Sequence, residues 1–288
     1  MELIYKLYNL AATEEPEPLP WGRYHVLWVL GVLALTAILC TALKDCKDMG
    51  FRVCILALFG IMLIFEIYKQ IFFSMEMVDG VLTFNYNWGN FPFQLCSTPL
   101  YVLPFLGILR DGPVRDFAAS YTVSFTLLGG LVVYLFPSTV FDVFVVGNVQ
   151  TMTHHGIQIV TGIFTAVWYR KRLNRSFFMK GALVFTVMFT VAMLLNTVGR
   201  EALISIGAIT SETNFNMFMI SPYFDINPPI FEELVNSIDP WLFVVIYFIG
   251  VPVVAAALMF GCEILVNGIS RHRGKTLSAH EKKPLYDN

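Results

Sequence analysis

Four polar groupings in an otherwise apolar chain have the residue types and spacing to do chemistry. Glu66, Lys69 and Gln70 stand i,i+3 and i,i+4, so a helix carries them on one face. Gln94-Leu95-Cys96-Ser97-Thr98 sets a thiol among small polar residues. Thr153-His154-His155 leads into Gln158 and Thr161, with His155, Gln158 and Gly162 on one stripe. Asn196 and Arg200 are again i,i+4, with Asn214 and Asn216 beyond them. A thiolate is a strong nucleophile, and an imidazole beside it is suited to take its proton. Cys96 and His155 are therefore the candidate catalytic pair. His154, about 100° around the helix from its neighbour, is read as a packing or capping residue.

The elements that must position these groups are membrane helices. The chain is 56% hydrophobic and 14% charged, well below the roughly 25% charged of soluble domains. Seven apolar stretches, 24–43, 51–74, 94–110, 117–137, 153–170, 178–199 and 240–266, each come near the ~20 residues needed to cross a ~30 Å hydrocarbon core. The reading is one membrane domain over 1–288, with an outer segment 1–23, a seven-helix bundle over 24–266 and a basic tail over 267–288. The first stretch follows an acidic, proline-bearing segment and is expected to be retained rather than cleaved. No internal repeat is visible.

Charge gives the bundle a direction. Lys44, Lys47 and Arg52 follow the first stretch, Arg110 and Arg115 the third, and Arg170, Lys171, Arg172, Arg175 and Lys180 the fifth. The tail adds Arg271, Arg273, Lys275, Lys282 and Lys283, while the alternate segments hold only Lys6, Arg23 and Arg200. The positive-inside rule then sets the N-terminus outside and the tail in the cytoplasm of a multi-pass protein of the cell membrane. The net charge of -2 only averages a basic inner face with an acidic outer one, and nucleic acid is not expected as a partner of such a membrane chain. The outer segments 75–93, 138–152 and 200–239 read as loops, and Met1–Ala12 has the spacing of a helix lying on the outer leaflet.

With that orientation all four polar groupings fall at the outer boundary, where the third stretch is interrupted by Pro92, Pro99 and Pro104. Irregular backbone at such a depth must line a cavity or be enclosed by protein. Intramembrane charges normally face a bundle interior and mark a site, although Glu66 with Lys69 also reads as an ion pair that fixes packing. Asn196 with Arg200 reads equally as a clamp at a helix end. Of the five cysteines, Cys40, Cys46, Cys54 and Cys262 fall near the inner face and Cys96 stands alone outside. A helix N-terminus and Lys69 would each favour its thiolate, against the plain reading of a small apolar filler.

In order and spacing, Glu66-Ile67-Tyr68-Lys69, Phe91-Pro92-Phe93-Gln94-Leu95-Cys96, His155-Gly156, Leu194-Leu195-Asn196, Asn214-Phe215-Asn216-Met217 and Ser221-Pro222 resemble the YwaF / transmembrane protein 164 family. The resemblance spans roughly residues 50–225 and implies a bacterial member. It departs from the family pattern in the doubled histidine and in a longer segment between Asn196 and Asn214. The animal branch of that family is described as an acyltransferase remodelling ether phospholipids, with a cysteine and a histidine as active residues, and more distant relatives hydrolyse fatty-acid esters. Position for position, those two residues fall on Cys96 and His155.

What the resemblance implies is acyl transfer from a phospholipid ester, to water or to a lyso-phospholipid, through a thioester on Cys96. His155 would relay the proton, and Glu66 or Gln158 would orient it. Gln94, Asn196 or Asn214 would donate to the oxyanion, with Arg200 near a lipid headgroup. No cofactor is called for. The competing reading is a small-solute or lipid transporter or receptor whose polar pocket opens outward and breaks no bond. A metal site from His154, His155, Cys96 and Glu66 is disfavoured, because adjacent histidines on a helix diverge.

Overall fold

A computed structural model describes residues 2–224 and 237–281. The chain is mostly helical, 71%. Its helices are α1 (Glu2–Ala11), α2 (Arg23–Ala42), α3 (Asp48–Phe72), α4 (Pro99–Ile108), α5 (Pro113–Leu135), α6 (Val145–Trp168), α7 (Arg175–Ser205) and α8 (Pro240–Glu281). Of the expected tail, the backbone stays helical to Glu281, and residues 282–288 lie outside the described residues, as do Glu232 and Glu233 of the outer segment 200–239.

Five helices are long and apolar enough to cross a membrane: α2, α3, α5, α7 and the Pro240–Val266 part of α8. On α2, α3, α7 and α8 the apolar residues largely face outward, with Leu27, Leu30, Leu33, Leu183, Val187, Ile249 and Val253 all exposed, whereas α5 is mostly buried. That is the packing expected when lipid, rather than water, covers the bundle. The other two expected spans differ for opposite reasons. Helix α4 is apolar but only 10 residues long, because the chain before it runs irregularly and turns once at Leu95–Ser97. Helix α6 has the length, 24 residues, but is too polar to stand out by hydropathy. It sits at the centre of the bundle, against α2, α3, α5 and α8, so its side chains meet protein and need not be apolar.

The start of α6 corrects the expected boundary. The segment 138–152 reads as loop, yet the helix begins at Val145, so His154 and His155 lie about two and a half turns inside it. The polar residues before them hid this. Asn148 caps the entry, accepting from the Asp142 amide at 2.9 Å and donating to the Asp142 carbonyl at 2.6 Å. Close approach between α5 and α6 depends on glycine: a Cβ on Gly130 would lie 2.7 Å from the His155 carbonyl oxygen, and one on Gly156 2.7 Å from the Tyr134 hydroxyl.

Both α5 and α7 contain a π-helical turn, at Thr122–Thr126 and Leu195–Gly199. Outside the bundle, the expected loop 75–93 contains a hairpin, β1 (Met75–Val78) and β2 (Val81–Phe84). Its two-residue turn is Asp79-Gly80, both at positive φ, as such hairpins require. Helix α1 packs on protein: Tyr5 donates to the Gly80 carbonyl at 2.9 Å, and the Tyr8 ring lies 5.7 Å from Phe72. At the opposite end, Arg115 is fully buried and donates to Tyr169, Asp48, the Leu109 carbonyl and Asp111. Arg172 and Lys180 close the ring onto Asp111 and Asp116.

Candidate functional site

Glu66 on α3 is the anchor of the polar cluster at one end of the bundle. It is buried, and its Oε1 receives Lys69 Nζ at 3.1 Å and Gln70 Nε2 at 2.7 Å. Gln70 is held in turn by the Asn90 carbonyl and the Tyr86 hydroxyl. An i,i+3 lysine and an i,i+4 glutamine can both reach one carboxylate oxygen from the same helix face, which leaves the second, Oε2, to look across at α6. There it lies 3.9 Å from His154 Nδ1, with no hydrogen-bond partner.

Cys96 sits in the turn Leu95–Ser97, directly ahead of α4, where Pro99 and Thr98 start the helix. Its carbonyl oxygen accepts from two α6 side chains four residues apart, His154 Nε2 at 3.0 Å and Gln158 Nε2 at 2.8 Å. Those bonds fix the cysteine turn against the central helix. Gly129 lets them form: a Cβ there would stand 2.9 Å from Gln158 Oε1 and 3.5 Å from the Cys96 Cα. Gln158 thus holds the cysteine backbone and does not orient an imidazole.

A carbonyl oxygen can only accept, so both histidine tautomers are settled by their partners. His154 carries its hydrogen on Nε2. His155 Nδ1 lies 2.8 Å from the Thr151 carbonyl, so its hydrogen is on Nδ1 and its Nε2 offers a lone pair. His154 Nδ1 and His155 Nε2 are both buried without a partner. Buried unpartnered polar atoms are uncommon in folded proteins. Here three of them, with Glu66 Oε2, come from residues lining one cavity of about 260 Å³. Its walls also include Lys69, Cys96, Ser97, Asn90, Asp142, Gln150 and Thr151, with Phe73 and Val140 as its apolar part. Among the described residues no group of three or more His, Cys, Asp or Glu is arranged to hold a metal ion.

The sequence groupings thus divide. Glu66, Lys69, Cys96 and His155 meet at the cavity, and His154, read from sequence as packing, meets them there with its Nδ1 3.9 Å from Glu66 Oε2. Gln94, Asn196 and Asn214 are not among the residues lining the cavity. Gln94 Nε2 is committed to the Asn216 carbonyl at 2.7 Å. Asn196, in the π-helical turn of α7, donates to the Met217 carbonyl at 2.9 Å and accepts from the Met217 amide at 2.7 Å. Asn214 is exposed. Arg200 is buried elsewhere, donating to Ser211 and Glu201 and covering the Tyr223 and Phe224 rings. Asn196 and Arg200 pin the 211–217 stretch to α7, and Gln94 ties Asn216 to the turn ahead of α4; next to these ties Phe218 has φ 57° and Met219 φ 54°, a left-handed conformation that bulky residues adopt only when their surroundings insist.

Sequence reasoning missed Asn90, Asp142, Gln150 and Thr151. For the last two the signal was present: Gly147, Gln150, Thr151, His154 and Gln158 keep one helical phase once α6 is extended backward.

Comparison with protein families matches residues 19–261 to the TMEM164 family. The chain belongs to the TMEM164 family. No curated protein and no solved structure matches it. The family assignment agrees with the motif resemblance and extends it to nearly the whole bundle, with the cavity residues inside the matched span.

Proposed function

We propose that the outer cavity is the active site of a lipid acyltransferase or lipid ester hydrolase in which Cys96 is the nucleophile. The observation that carries this reading is His155: it lines the same cavity as the cysteine, and its Nδ1 bond to the Thr151 carbonyl leaves Nε2 unprotonated and unpartnered. That is the state of a general base awaiting a proton. Attack of the thiolate on a phospholipid ester carbonyl would place the acyl group on Cys96 and release a lyso-phospholipid.

The topology that suits this chemistry is seven membrane passes with the N-terminus outside. In it α4 and α6 complete the five apolar spans, and the cavity lies near the outer headgroup boundary of the cell membrane, at the depth of ester bonds. Labelling of cysteines introduced at positions 174 and 216 tests it: reaction from opposite sides supports the topology, and reaction from one side removes it.

The reaction itself is tested with purified protein in phospholipid vesicles, by mass spectrometry of the intact protein. A hydroxylamine-sensitive acyl adduct on Cys96, absent in Cys96→Ser, is expected. Unmodified protein with unchanged lipids would favour a carrier or receptor with the same pocket.

A further inference from the structure

Three open acceptor atoms line the cavity, and two of them face each other. Glu66 Oε1 is occupied by Lys69 and Gln70, so Oε2 keeps its lone pairs. His154 Nε2 donates to the Cys96 carbonyl, so Nδ1 keeps its own. Both side chains are more than nine-tenths buried, at 4% and 3% exposure. The two atoms are 3.9 Å apart, too far for a direct hydrogen bond. Two acceptors held at this distance repel unless a donor stands between them, and it must give a hydrogen to each. An oxygen about 2.8 Å from both atoms would subtend roughly 90° across that gap, within the range a water molecule tolerates. A lipid alcohol has one hydroxyl hydrogen and satisfies only one of the two.

We propose that the gap between His154 Nδ1 and Glu66 Oε2 is a binding station for a water molecule, and that this water is the acyl acceptor. The inference rests on the acyl-cysteine reading above and decides between its two outcomes: the protein is a hydrolase. With both hydrogens engaged, the water presents its lone pairs to the cavity that Cys96 lines. Its oxygen attacks the thioester carbonyl, the carbon–sulfur bond breaks, and one water proton passes to His154 Nδ1. The products are a free fatty acid and the Cys96 thiolate, which regains its proton through His155 or His154. The two histidines thereby divide the labour. His155 serves formation of the acyl-enzyme, and His154 with Glu66 serves its removal.

The test uses the full-length protein in phospholipid vesicles containing lyso-phospholipid, in heavy-oxygen water, with lipid and intact-protein mass spectrometry. The expected result is free fatty acid bearing one heavy oxygen as the main product, and in His154→Ala an acyl-Cys96 that persists about 10²-fold longer, as loss of a general base predicts. An acyl-Cys96 that forms but passes its chain to the lyso-lipid, or to an amine, overturns the water station and leaves the acyl-cysteine reading intact. An His154→Ala protein that sheds its acyl group as fast as wild type does the same. Absence of any acyl-Cys96 removes both readings. The product measurement on the wild type needs no variant, so misfolding of His154→Ala would not shield the proposal.

Discussion

The cavity at one end of the bundle and the ring around Arg115 at the other are built from the same materials and finished differently. Each buries charge, and each uses α3, α6 and their neighbours. In the ring, Arg115 donates from every nitrogen of its guanidinium, and its face lies 5.1 Å from the Trp168 ring centre and 5.5 Å from that of Phe51. Arg172 and Lys180 share the acids Asp111 and Asp116. In the cavity, Glu66, His154 and His155 each keep one buried atom unpartnered. A saturated cluster has nothing left to bind with, so it serves the fold. A cluster with open lone pairs is less stable than a saturated one and keeps the capacity to bind, which is what the proposed function calls for.

The comparison breaks first at Cys96. Cys96→Ser is expected to abolish acyl-adduct formation and lipid turnover without changing thermal stability, because a hydroxyl of much higher pKa needs a stronger base than an imidazole. His155→Ala is expected to lower turnover about 10²-fold. Full activity in Cys96→Ala would return the cavity to a binding role. At the other end, Arg115→Ala is expected to cost roughly 2–5 kcal/mol of stability, since it empties a fully buried position and leaves Tyr169, the Leu109 carbonyl and Asp48 without their donor, while Arg172 still pairs Asp111. Thermal unfolding in detergent would show the loss, and an Arg115→Ala protein as stable as wild type would erase the contrast.

Smaller effects sharpen the boundary between the two kinds of residue. Asn196→Ala leaves two backbone groups of Met217 unpaired and is expected to cost about 1–3 kcal/mol, with the acylation rate of folded protein changed far less than by His155→Ala. The smallest concerns acid. Arg172 hydrogen-bonds Asp111 and, with Arg115, holds its carboxyl below the ordinary carboxylate range, while Asp111 and Asp116 hold the Arg172 guanidinium above its own. A carboxylate lowered on folding stabilises above its unfolded value and loses that contribution as the pH falls through its folded one. Acid titration below about pH 4 is therefore expected to weaken wild type slightly more than Asp111→Asn.

Legibility in the sequence followed the physics of each element. Long apolar helices announced themselves by hydropathy, and α2, α3, α5, α7 and α8 begin within a few residues of the stretches read from it. Glu66, Lys69 and Cys96 were legible because an isolated charge or thiol among apolar residues has few other reasons to be there. The start of α6 was not legible, since a helix wrapped in protein has no need of apolar residues to mark it. Nor were the parts of His154 and His155 distinguishable. The angle between neighbouring side chains separates them on a helical wheel, but a cavity that spans more than one face receives both. Asn196, Gln94 and Asn214 misled for a related reason: an amide next to a site in sequence is as useful for tying down backbone as for meeting a substrate.

The glycine seam between α5 and α6 carries a consequence for how this scaffold can diversify. Gly129 and Gly130 bring the α5 backbone so close to His155 and Gln158 that even a methyl group has no room there. Substitution therefore has little freedom along that seam, and the chamber is open to remodelling instead where Phe73 and Val140 line it. Exchanging those two for smaller or larger residues reshapes the chamber and leaves the seam as it stands.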